Sequence, residues 1–495
     1  MSNLSELLPA GSGGKSVDFV ASGTLPNGKP VILNSNGTVT AISSTSATTS
    51  ESIPAGSAVV FNSADSRYVA SSFDPNTANK FVAVYQDRGN SRHGTAIVGT
   101  VSGTSITFGS EYVFKSSGTY DISIAFDPNT ANKFIVAHAT GAIVGTVSGT
   151  TLSFGSEYSF NSGNSVYASV AFDPNTTNSF VITYLDENNS ERGTGIAGTV
   201  SGTALSFGSE VVFNSGSTSD GAANFDPSTA GSFVVTYRDA ASSNNGTAVV
   251  GTVSGTSITF GSEYVFKSVN CQYPSSSFDP NTAGKFVAVY RDGSDGYYGK
   301  AVIGNISGTS ITYGSTYTYH SDGTEYTSVA FDPNTANKFV IIYNDTAGSD
   351  NAAAVIGTVS GTTLSFGSEY TIDTGAVSAT SVSFDPNAAG KFVAVYRHDG
   401  NGSYGTAIVG QMEVTVTTTN LTATNFLGIT DAAISSGASG SVTVTGGVAA
   451  NLTGLTIGST YYVQPAGTLA TSAGSPSVVA GKAISATSLI LKGNS

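Results

Sequence analysis

Seven copies of the triplet Phe-Asp-Pro divide this chain into repeats of one small structural unit. The triplets begin at Phe73, Phe126, Phe172, Phe225, Phe278, Phe331 and Phe384, so that five of the six spacings are 53 residues and one is 46. A fixed period of this size is typical of small units that pack on one another, because none of them can bury its apolar faces alone. The number of strands in each unit therefore decides what the chain can fold into.

Each repeat contains four segments with the composition of β-strands. In the first repeat they are residues 69–73, 81–85, 95–101 and 106–114, which are rich in Val, Ile, Phe, Tyr and Thr. The sequence DPNTAN joins the first two segments, and its proline and polar side chains are typical of a tight turn. The sequence SGT at residues 102–104 joins the last two, where glycine permits a hairpin with positive φ.

Four antiparallel strands in each of seven repeats predict an all-β fold, a seven-bladed β-propeller, because radial packing buries both faces of every small sheet. A linear β-solenoid is the alternative. Only six SGT hairpins follow the seven triplets, so the last blade lacks its outer strand, whereas residues 56–61 before the first blade match residues 109–114. An N-terminal strand that completes the last blade closes a ring, which favours the propeller.

The chain is predicted to divide into an N-terminal segment at residues 1–54, a propeller at 55–411 and a C-terminal β region at 412–495. Residues 43–54 are rich in Ser and Thr and are interpreted as a polar linker. Because closure of the ring places residues 55 and 410 in adjacent strands, we expect residues 18–42 to pack with the C-terminal region as one small β domain. Two independent flanking modules are the alternative.

Charge and composition exclude several classes of function. The 19 basic and 33 acidic side chains give a net charge of −14 without a basic cluster, so nucleic-acid binding is not expected. Cys271 is the only cysteine, which excludes an internal disulfide and a thiolate metal cage. Residues 1–10 lack the features of a secretory signal, and no apolar run reaches the ~20 residues of a membrane span. We therefore expect a protein made in a cytoplasm, without insertion into a membrane.

The loops that vary between repeats are predicted to share one face of the ring. In a four-stranded blade the first and third connections lie on one face, and here these are the nearly constant DPNTAN and SGT turns. The second and fourth connections vary and are rich in tyrosine, whose phenol suits contacts with sugars or proteins. The candidate ligand-binding residues are Arg88, Arg92, Tyr120, Tyr167, Tyr273, Arg291, Tyr297, Tyr298, Tyr326, Arg397 and Tyr404. The alternative is that these loops are solvated tips without a ligand.

The chain shows no pattern typical of catalysis, so we expect neither an enzyme nor a cofactor. Its four histidines, His93, His138, His320 and His398, lie in four different blades without a shared spacing to a nucleophile. Calcium needs six or more oxygen ligands, and only the loop pairs Asp292 with Asp295 and Asp345 with Asp350 suit it, so no metal site is predicted. The tyrosines that end the second strands are interpreted as packing between blades: Tyr85, Tyr184, Tyr237, Tyr290, Tyr343 and Tyr396.

The two ends of the chain resemble known virion proteins. The opening segment ELLPAGSGGKSVDFVASGTLPNGKPVILNSNGTVTAI resembles the leading part of bacteriophage tail-fibre and head-decoration components. The closing segments NFLGITDAAISSGASGSVTVTGG, LTIGSTYYVQPAGTL and AGKAISATSLILKG are similar to a module of virion appendages of marine phages. The resemblance depends on glycine-containing turns at the two ends, and it does not extend to the repeats.

This resemblance implies a non-enzymatic fibre or appendage protein located in the virion. The end-derived β domain is then expected to bind other virion proteins or to form a homo-oligomer, because such appendages are commonly trimeric. The propeller is expected to present its variable loops to a host-surface glycan or protein for adsorption. Two alternatives stay open, namely a head-decoration or head-fibre protein without a specific receptor, and a glycan-degrading enzyme of the tailspike type.

Overall fold

The computed structural model describes residues 15–49, 51–474 and 476–492. Two compact units are present, Ser50–Val414 and a second unit built from both chain ends, Met1–Thr49 with Thr415–Ser495. Residues 1–14 contain the start of the phage-like segment and the region expected to lack a secretory signal, and they lie outside the described residues. Among the residues that are described, no helix is long and apolar enough to cross a membrane.

Regular structure in the described residues consists of strands and two 3₁₀ turns, Glu187–Asn189 and Asp399–Asn401. The strands before the repeats are β1 Ser16–Val20, β2 Pro30–Leu33, β3 Val39–Ala41 and β4 Ser44–Thr49. The strands of the repeats are β5 Val59–Phe73, β6 Lys80–Asp87, β7 His93–Ser102, β8 Ser105–Phe108, β9 Tyr112–Lys115, β10 Ser123–Phe126, β11 Lys133–His138, β12 Gly141–Ser148, β13 Thr151–Tyr158, β14 Ser165–Phe172, β15 Ser179–Asp186, β16 Arg192–Ser201, β17 Ala204–Phe207, β18 Val211–Phe225, β19 Ser232–Asp239, β20 Asn245–Ser254, β21 Ser257–Lys267, β22 Cys271–Phe278, β23 Lys285–Asp292, β24 Tyr298–Ser307, β25 Ser310–His320, β26 Thr324–Phe331, β27 Lys338–Asp345, β28 Asn351–Ser360, β29 Thr363–Phe384, β30 Lys391–His398 and β31 Tyr404–Gln411. The strands after them are β32 Val414–Thr419, β33 Phe426–Thr430, β34 Ser439–Val444, β35 Val448–Ala449, β36 Thr460–Val463, β37 Leu469–Ala470, β38 Val478–Ala483 and β39 Leu489–Leu491.

The strands β5 to β31 pair antiparallel in four continuous sheets, because the long strands β5, β18 and β29 each run from the outer edge of one repeat into the first strand of the next. Each Phe-Asp-Pro triplet within residues 51–414 marks one repeat of paired strands, called here a unit. In the first unit β5, β6 and β7 pair in order, and both β8 and β9 pair with β7. The prediction of one outer strand at residues 106–114 is therefore wrong. The backbone leaves the ladder at residues 109–111, where the amide of Gly109 donates instead to the carbonyl of Val98 at 2.9 Å.

The N-terminal strand of the repeats closes the ring. The first half of β5 pairs with β31, placing Val59 opposite Ala407 and Val60 opposite Thr406, while its second half pairs with β6. The first strands of all seven units also contact one another in a full circle, so they line the central axis. The all-β propeller predicted from the repeats is confirmed, and the linear solenoid is wrong.

A buried apolar cluster fills the boundary between each unit and the next. Inside every unit, a phenylalanine of the second strand lies over a glycine of the third strand. A Cβ atom on Gly251, for example, would come within 2.1 Å of the Phe233 ring. The same contact recurs at Gly99, Gly145, Gly198, Gly304, Gly357 and Gly410. Glycine recurs in the third strand because the large ring leaves no space for a side chain.

The Phe-Asp-Pro turns connect neighbouring units through hydrogen bonds. The buried carboxylate of Asp332 accepts from the amide of Asn334 in its own turn at 2.9 Å and from the amide of Gly390 in the next unit at 2.7 Å. The side-chain amide of Asn387 donates to the carbonyl of Pro75 at 3.3 Å, which joins the seventh unit to the first. The constant turn thus holds the ring together as well as forming a local bend.

The described part of the unit formed by both chain ends contains two five-stranded sheets and one two-stranded sheet. The first has the order β1-β34-β33-β2-β3, which interleaves strands from the two ends, and the second has the order β35-β39-β38-β36-β37. Residues 43–54, interpreted as a polar linker, include strand β4 Ser44–Thr49, which pairs with β32. Hydroxyl groups join these polar strands, as between Thr45 Oγ1 and Thr418 Oγ1 at 2.8 Å.

Candidate functional site: the axial ring on the variable face

The loops that differ between repeats lie together on one face of the ring, called here the variable face. In the first unit, the amide of Arg88 donates to the carbonyl of Asp65 at 2.9 Å, which joins a second connection to a fourth. The constant turns meet on the other face, where the amide of Val101 donates to the carbonyl of Asn79 at 2.8 Å. The strand pairing therefore separates the constant connections from the variable ones.

Seven residues form a ring around the axis on the variable face, called here the axial ring. Each lies five residues before a Phe-Asp-Pro triplet and has a left-handed φ between 48° and 54°. Six of them lie within a first strand, and Asp121 lies two residues before the first strand of the second unit, β10. A register shift accompanies this φ, as between Arg67 and Ala70. The members of the ring are Tyr68, Asp121, Tyr167, Asp220, Tyr273, Tyr326 and Ala379.

The conformation of the axial ring is costly for the residues that adopt it. A left-handed φ costs about 1–2 kcal/mol for a residue with a side chain, and glycine avoids this cost. None of the seven positions carries glycine, and four carry tyrosine, although glycine is abundant elsewhere in the chain, with 59 copies. Strain of this kind is characteristic of positions whose side chains must point in a particular direction.

Aromatic side chains of the ring are accessible and pack against each other in pairs. Tyr68 and Tyr120 meet edge to face with ring centroids 6.0 Å apart, and both are more than one third exposed. The centroids of Tyr273 and Tyr326 are 5.1 Å apart. A phenol combines an apolar face with a polar tip, so this surface suits a ligand with both kinds of group.

One side of the axial ring is acidic. Burial and the charges of Glu187 and Asp220 raise the pKa of Asp121 to about 6, against a backbone hydrogen bond from Tyr167. Burial also raises the pKa of Asp220, although the guanidinium of Arg238, 3.9 Å away, acts in the opposite direction. The pKa of Tyr167 is raised by burial, Asp220 and Asp121. These carboxyl groups therefore lie close enough together to oppose each other's ionisation.

The other side of the ring carries an arginine cluster where the first and last units meet. The carboxylate of Asp65 forms ion pairs with Arg67 at 3.5 Å, with Arg88 at 3.1 Å and with Arg397 at 3.2 Å. Arg397 also contacts Asp399 at 3.0 Å. This cluster contains three guanidinium groups and two carboxylates, so one positive charge is in excess.

The structure brings several of the predicted ligand-binding residues together at the ring. Tyr167, Tyr273 and Tyr326 are ring members, and Tyr120, Arg88 and Arg397 adjoin it. The guanidinium of Arg291 lies 5.9 Å from the centre of the Tyr273 ring and 4.3 Å from that of Tyr297, and it bonds to Glu325 at 2.5 Å. Arg92 contacts the hydroxyl of Tyr120 at 3.5 Å.

Two predicted residues belong to the hairpins that begin the third strands. Tyr298 pairs with Asp292 across strands and lies below the ammonium group of Lys300, 5.3 Å from its ring centre. Tyr404 pairs with His398 on one side and with Asp65 on the other. Neither residue is part of the axial ring.

Sequence reasoning did not select Tyr68, Asp121, Asp220 or Ala379 as site residues. The signal that identifies them is their constant offset of five residues before Phe-Asp-Pro, which is visible in the sequence. The residue type changes between repeats at this offset, so composition alone does not reveal a shared role. Only the left-handed φ shows that the seven positions are equivalent.

The acidic loop pair in the fifth unit does not come together as a calcium site. Asp292 contacts the ammonium group of Lys267 at 2.7 Å, whereas Asp295 contacts that of Lys300 at 2.6 Å. Burial alone would raise the pKa of Asp292, but hydrogen bonds from Lys267 and Ser294 lower it. Each carboxylate is thus neutralised separately by a lysine.

A histidine joins two carboxylates at the boundary between the fifth and sixth units. His320 Nδ1 lies 2.8 Å from Glu369 and its Nε2 lies 3.3 Å from Asp345. One donor atom from each residue lies within 4.8 Å of the others, the arrangement of a three-ligand metal site. However, His320 occupies the place that Lys267 has one repeat earlier, and Lys267 also pairs with the next aspartate. A polar contact between units, made by lysine in one repeat and by histidine in the next, therefore explains this cluster.

The tyrosines at the ends of the second strands are buried between units rather than exposed in the channel. The hydroxyls of Tyr85 and Tyr184 donate to Glu111 and Glu210 at 2.7 Å and 2.8 Å. Glu111 lies in the break between β8 and β9, and Glu210 lies in the break between β17 and β18. Burial and these carboxylates raise the pKa of both phenols far above the ordinary range. This position is therefore part of the scaffold.

No family model and no curated protein sequence matches this chain. Solved structures resemble it in fold. The BP39L lectin from Burkholderia pseudomallei is 9% identical, and the match covers 72% of this chain and 100% of the lectin with a TM-score of 0.53. The β-propeller domain of Cps50 (Swd1) from Myceliophteria thermophila is 8% identical over 71% of this chain and 99% of that domain, with a TM-score of 0.45. The NanB sialidase from Streptococcus pneumoniae is 10% identical over 73% of this chain and 71% of the sialidase, with a TM-score of 0.42.

These comparisons show the fold alone. A likeness to the lectin at 9% identity does not extend to its ligand, so the function of this chain has to be argued from its own residues. The resemblance of the chain ends to phage virion proteins stays a prediction.

Proposed function

We propose that this protein is a non-enzymatic virion appendage of a bacteriophage, which binds a host-surface glycan through the axial ring. The observation that carries the proposal is the ring itself, in which seven left-handed residues without a glycine present four tyrosines on the variable face. The BP39L lectin supports the proposal only in sharing the fold.

The chemistry of the ring suits a saccharide better than an apolar ligand. Tyrosine rings stack on the C–H faces of sugars, while nearby arginine and aspartate side chains pair with hydroxyl groups. The ring side chains are only partly exposed, which limits the entropy lost when they bind a ligand. A host-surface protein remains the alternative receptor, since tyrosine and arginine are also common in protein interfaces.

The unit formed by the chain ends is proposed to bind other virion proteins or to form a homo-oligomer. Several propellers on one particle would multiply weak contacts with a surface that carries many glycans. A decoration or head-fibre protein without a receptor is the second role compatible with the resemblance. Electron microscopy of labelled virions, which locates this chain on the tail or on the capsid, distinguishes the two roles.

Catalysis by the acidic side of the ring is the remaining alternative. Glycoside hydrolysis needs two carboxyl groups whose pKa values are pushed apart, so that one is an acid while the other is ionised. Here burial raises the pKa of both Asp121 and Asp220. Binding without cleavage is therefore proposed, and incubation with host polysaccharide should give no shortened products.

A glycan array probed with the full chain tests the proposal. We expect binding that is lost when the ring tyrosines are replaced together by Tyr68→Ala, Tyr167→Ala, Tyr273→Ala and Tyr326→Ala. Alanine already occupies the equivalent position at Ala379, so this variant should fold. Val265→Ala, at a half-exposed side chain of an outer strand, is the matched control and should bind normally. Equal binding by the quadruple variant and the control would contradict the proposal.

A further inference from the structure

The axial ring has a gap at Ala379. Tyr326 precedes this position around the circle and Tyr68 follows it, because the first strands of the sixth, seventh and first units are neighbours. Ala379 carries a methyl group where both flanking positions carry a much larger phenol. The position of this smaller side chain, between Tyr326 and Tyr68 in the circle, is called here the recess.

Positive charge lies beside this recess. Arg67 directly precedes Tyr68 in the chain, and both Arg67 and Arg397 pair with Asp65. Burial and the carboxylates of Glu325 and Asp399 raise the pKa of Tyr326, whereas Arg397 and Arg67 act on the same phenol in the opposite direction. Arg67 belongs to the first unit and Tyr326 to the sixth, so the charge of Arg67 acts across the position of Ala379 in the seventh unit.

The rest of the ring disfavours an anion. Asp121 follows Tyr68 around the circle, and Asp220 lies two units further on. Among the ion pairs of the described residues, Arg238 contacts Asp220 at 3.9 Å, and Asp121 has no basic partner. The chain as a whole carries a net charge of −14. A negatively charged group would therefore be repelled from most of the molecule and attracted to one part of the ring.

We propose that the recess at Ala379 binds the anionic group of a charged saccharide, with Arg67 and Arg397 as its counter-charges. This inference depends on the proposed glycan-binding function and adds the class of sugar and its orientation. The group is a carboxylate or a phosphate ester, since guanidinium groups pair with either one. Tyr68 and Tyr326 would then contact the faces of the sugar that carries it.

Titration calorimetry with matched ligand pairs tests the inference on the full chain. One pair is an oligogalacturonate and its methyl ester, which differ only in charge, and the other is a phosphorylated mannan oligosaccharide and its dephosphorylated form. We expect the charged member of at least one pair to bind about tenfold more tightly, the factor of one charge-assisted hydrogen bond. The preferred pair distinguishes a carboxylate from a phosphate.

Variants at the recess assign the preference to these residues. Ala379→Tyr fills the recess with the side chain found at four equivalent positions, whereas Ala379→Gly leaves it open. Arg67→Gln removes one counter-charge, and Arg192→Gln is its control on the same face, where Arg192 contacts Asn189 at 3.3 Å. We expect Ala379→Tyr and Arg67→Gln to remove the preference for the charged ligand, and Ala379→Gly and Arg192→Gln to retain it.

The outcomes separate this inference from the proposed function. Equal affinity for charged and neutral members would overturn the anionic subsite and leave glycan binding in place. A preference for charge that persists in both Ala379→Tyr and Arg67→Gln would overturn the location of the subsite. Absence of binding for both pairs, together with an empty glycan array, would remove the inference and the function together.

Discussion

Removal of one carboxylate from a Phe-Asp-Pro turn should destabilise the ring. The size of the effect should depend on whether that carboxylate accepts a hydrogen bond from the next unit. Asp332 is fully buried and accepts two backbone amides, one from Asn334 and one from Gly390 of the following unit. A hydrogen bond to a charged group contributes about 1.5–3 kcal/mol, and a buried amide left without a partner costs a similar amount. Asp332→Ala should therefore lower the free energy of unfolding by about 3–6 kcal/mol.

A matched control isolates the bond between units. Asp279 is equally buried and accepts from the amide of Asn281 at 3.0 Å, but its Oδ2 atom has no hydrogen-bond partner among the described residues. Asp279→Ala should thus cost only about 1.5–3 kcal/mol, and the difference between the two variants measures the bond to Gly390. Urea denaturation followed by tyrosine fluorescence suits this chain, which has no tryptophan. Equal losses in the two variants would refute the conclusion that these turns connect the units.

Three further predictions concern other parts of the ring. Gly251→Ala should cost about 1–3 kcal/mol because its Cβ would lie 2.1 Å from the Phe233 ring, and Phe233→Leu in the same chain should recover part of the loss. Gly367→Ala is the control in thermal denaturation and should change little, since its Cβ would meet the Ile356 carbonyl oxygen at an ordinary 3.8 Å. Asp121→Asn should flatten the pH dependence of stability. The native pKa of Asp121 is raised to about 6, so the wild type should lose up to about 3 kcal/mol of its free energy of unfolding as the pH rises from 4 to 6. Urea titrations at pH 3.5 and 7 measure this loss in both proteins. Ala379→Gly should raise the free energy of unfolding by up to about 1 kcal/mol through relief of its left-handed φ, and a loss of stability would show that the residue is not strained.

The closed ring could be predicted from the sequence because the chain begins its repeats in the middle of a unit, so that the outer strand of the last unit precedes the first triplet. Residues 56–61 match an outer strand but precede the first triplet, and the structure pairs Val59 with Ala407 as that offset requires. The interleaved sheet of the chain ends could be predicted by the same reasoning, because a closed ring brings the end of the propeller back next to its beginning. In both cases the prediction depends on connectivity, which sequence spacing records directly.

The axial ring could not be predicted in the same way. Its positions combine tyrosine, aspartate and alanine, and the left-handed φ arises from a register shift between the first and second strands, as at Ser378 and Ser381. The bond from Gly390 to Asp332 also depends on a partner 58 residues away in the next unit. Such features follow from the packing of units, and the local sequence does not specify them.

The strain of the axial ring and its variety of side chains have a common physical explanation. At two of the seven ring positions the next unit holds the backbone, since the Thr327 hydroxyl donates to the carbonyl of Tyr273 at 2.5 Å and the Thr380 hydroxyl donates to that of Tyr326. Because these bonds use backbone acceptors, the conformation at these two positions does not depend on which side chain is present. The ring can therefore carry a phenol, a carboxylate or a methyl group on one backbone geometry, and substitutions there should alter ligand choice more than folding.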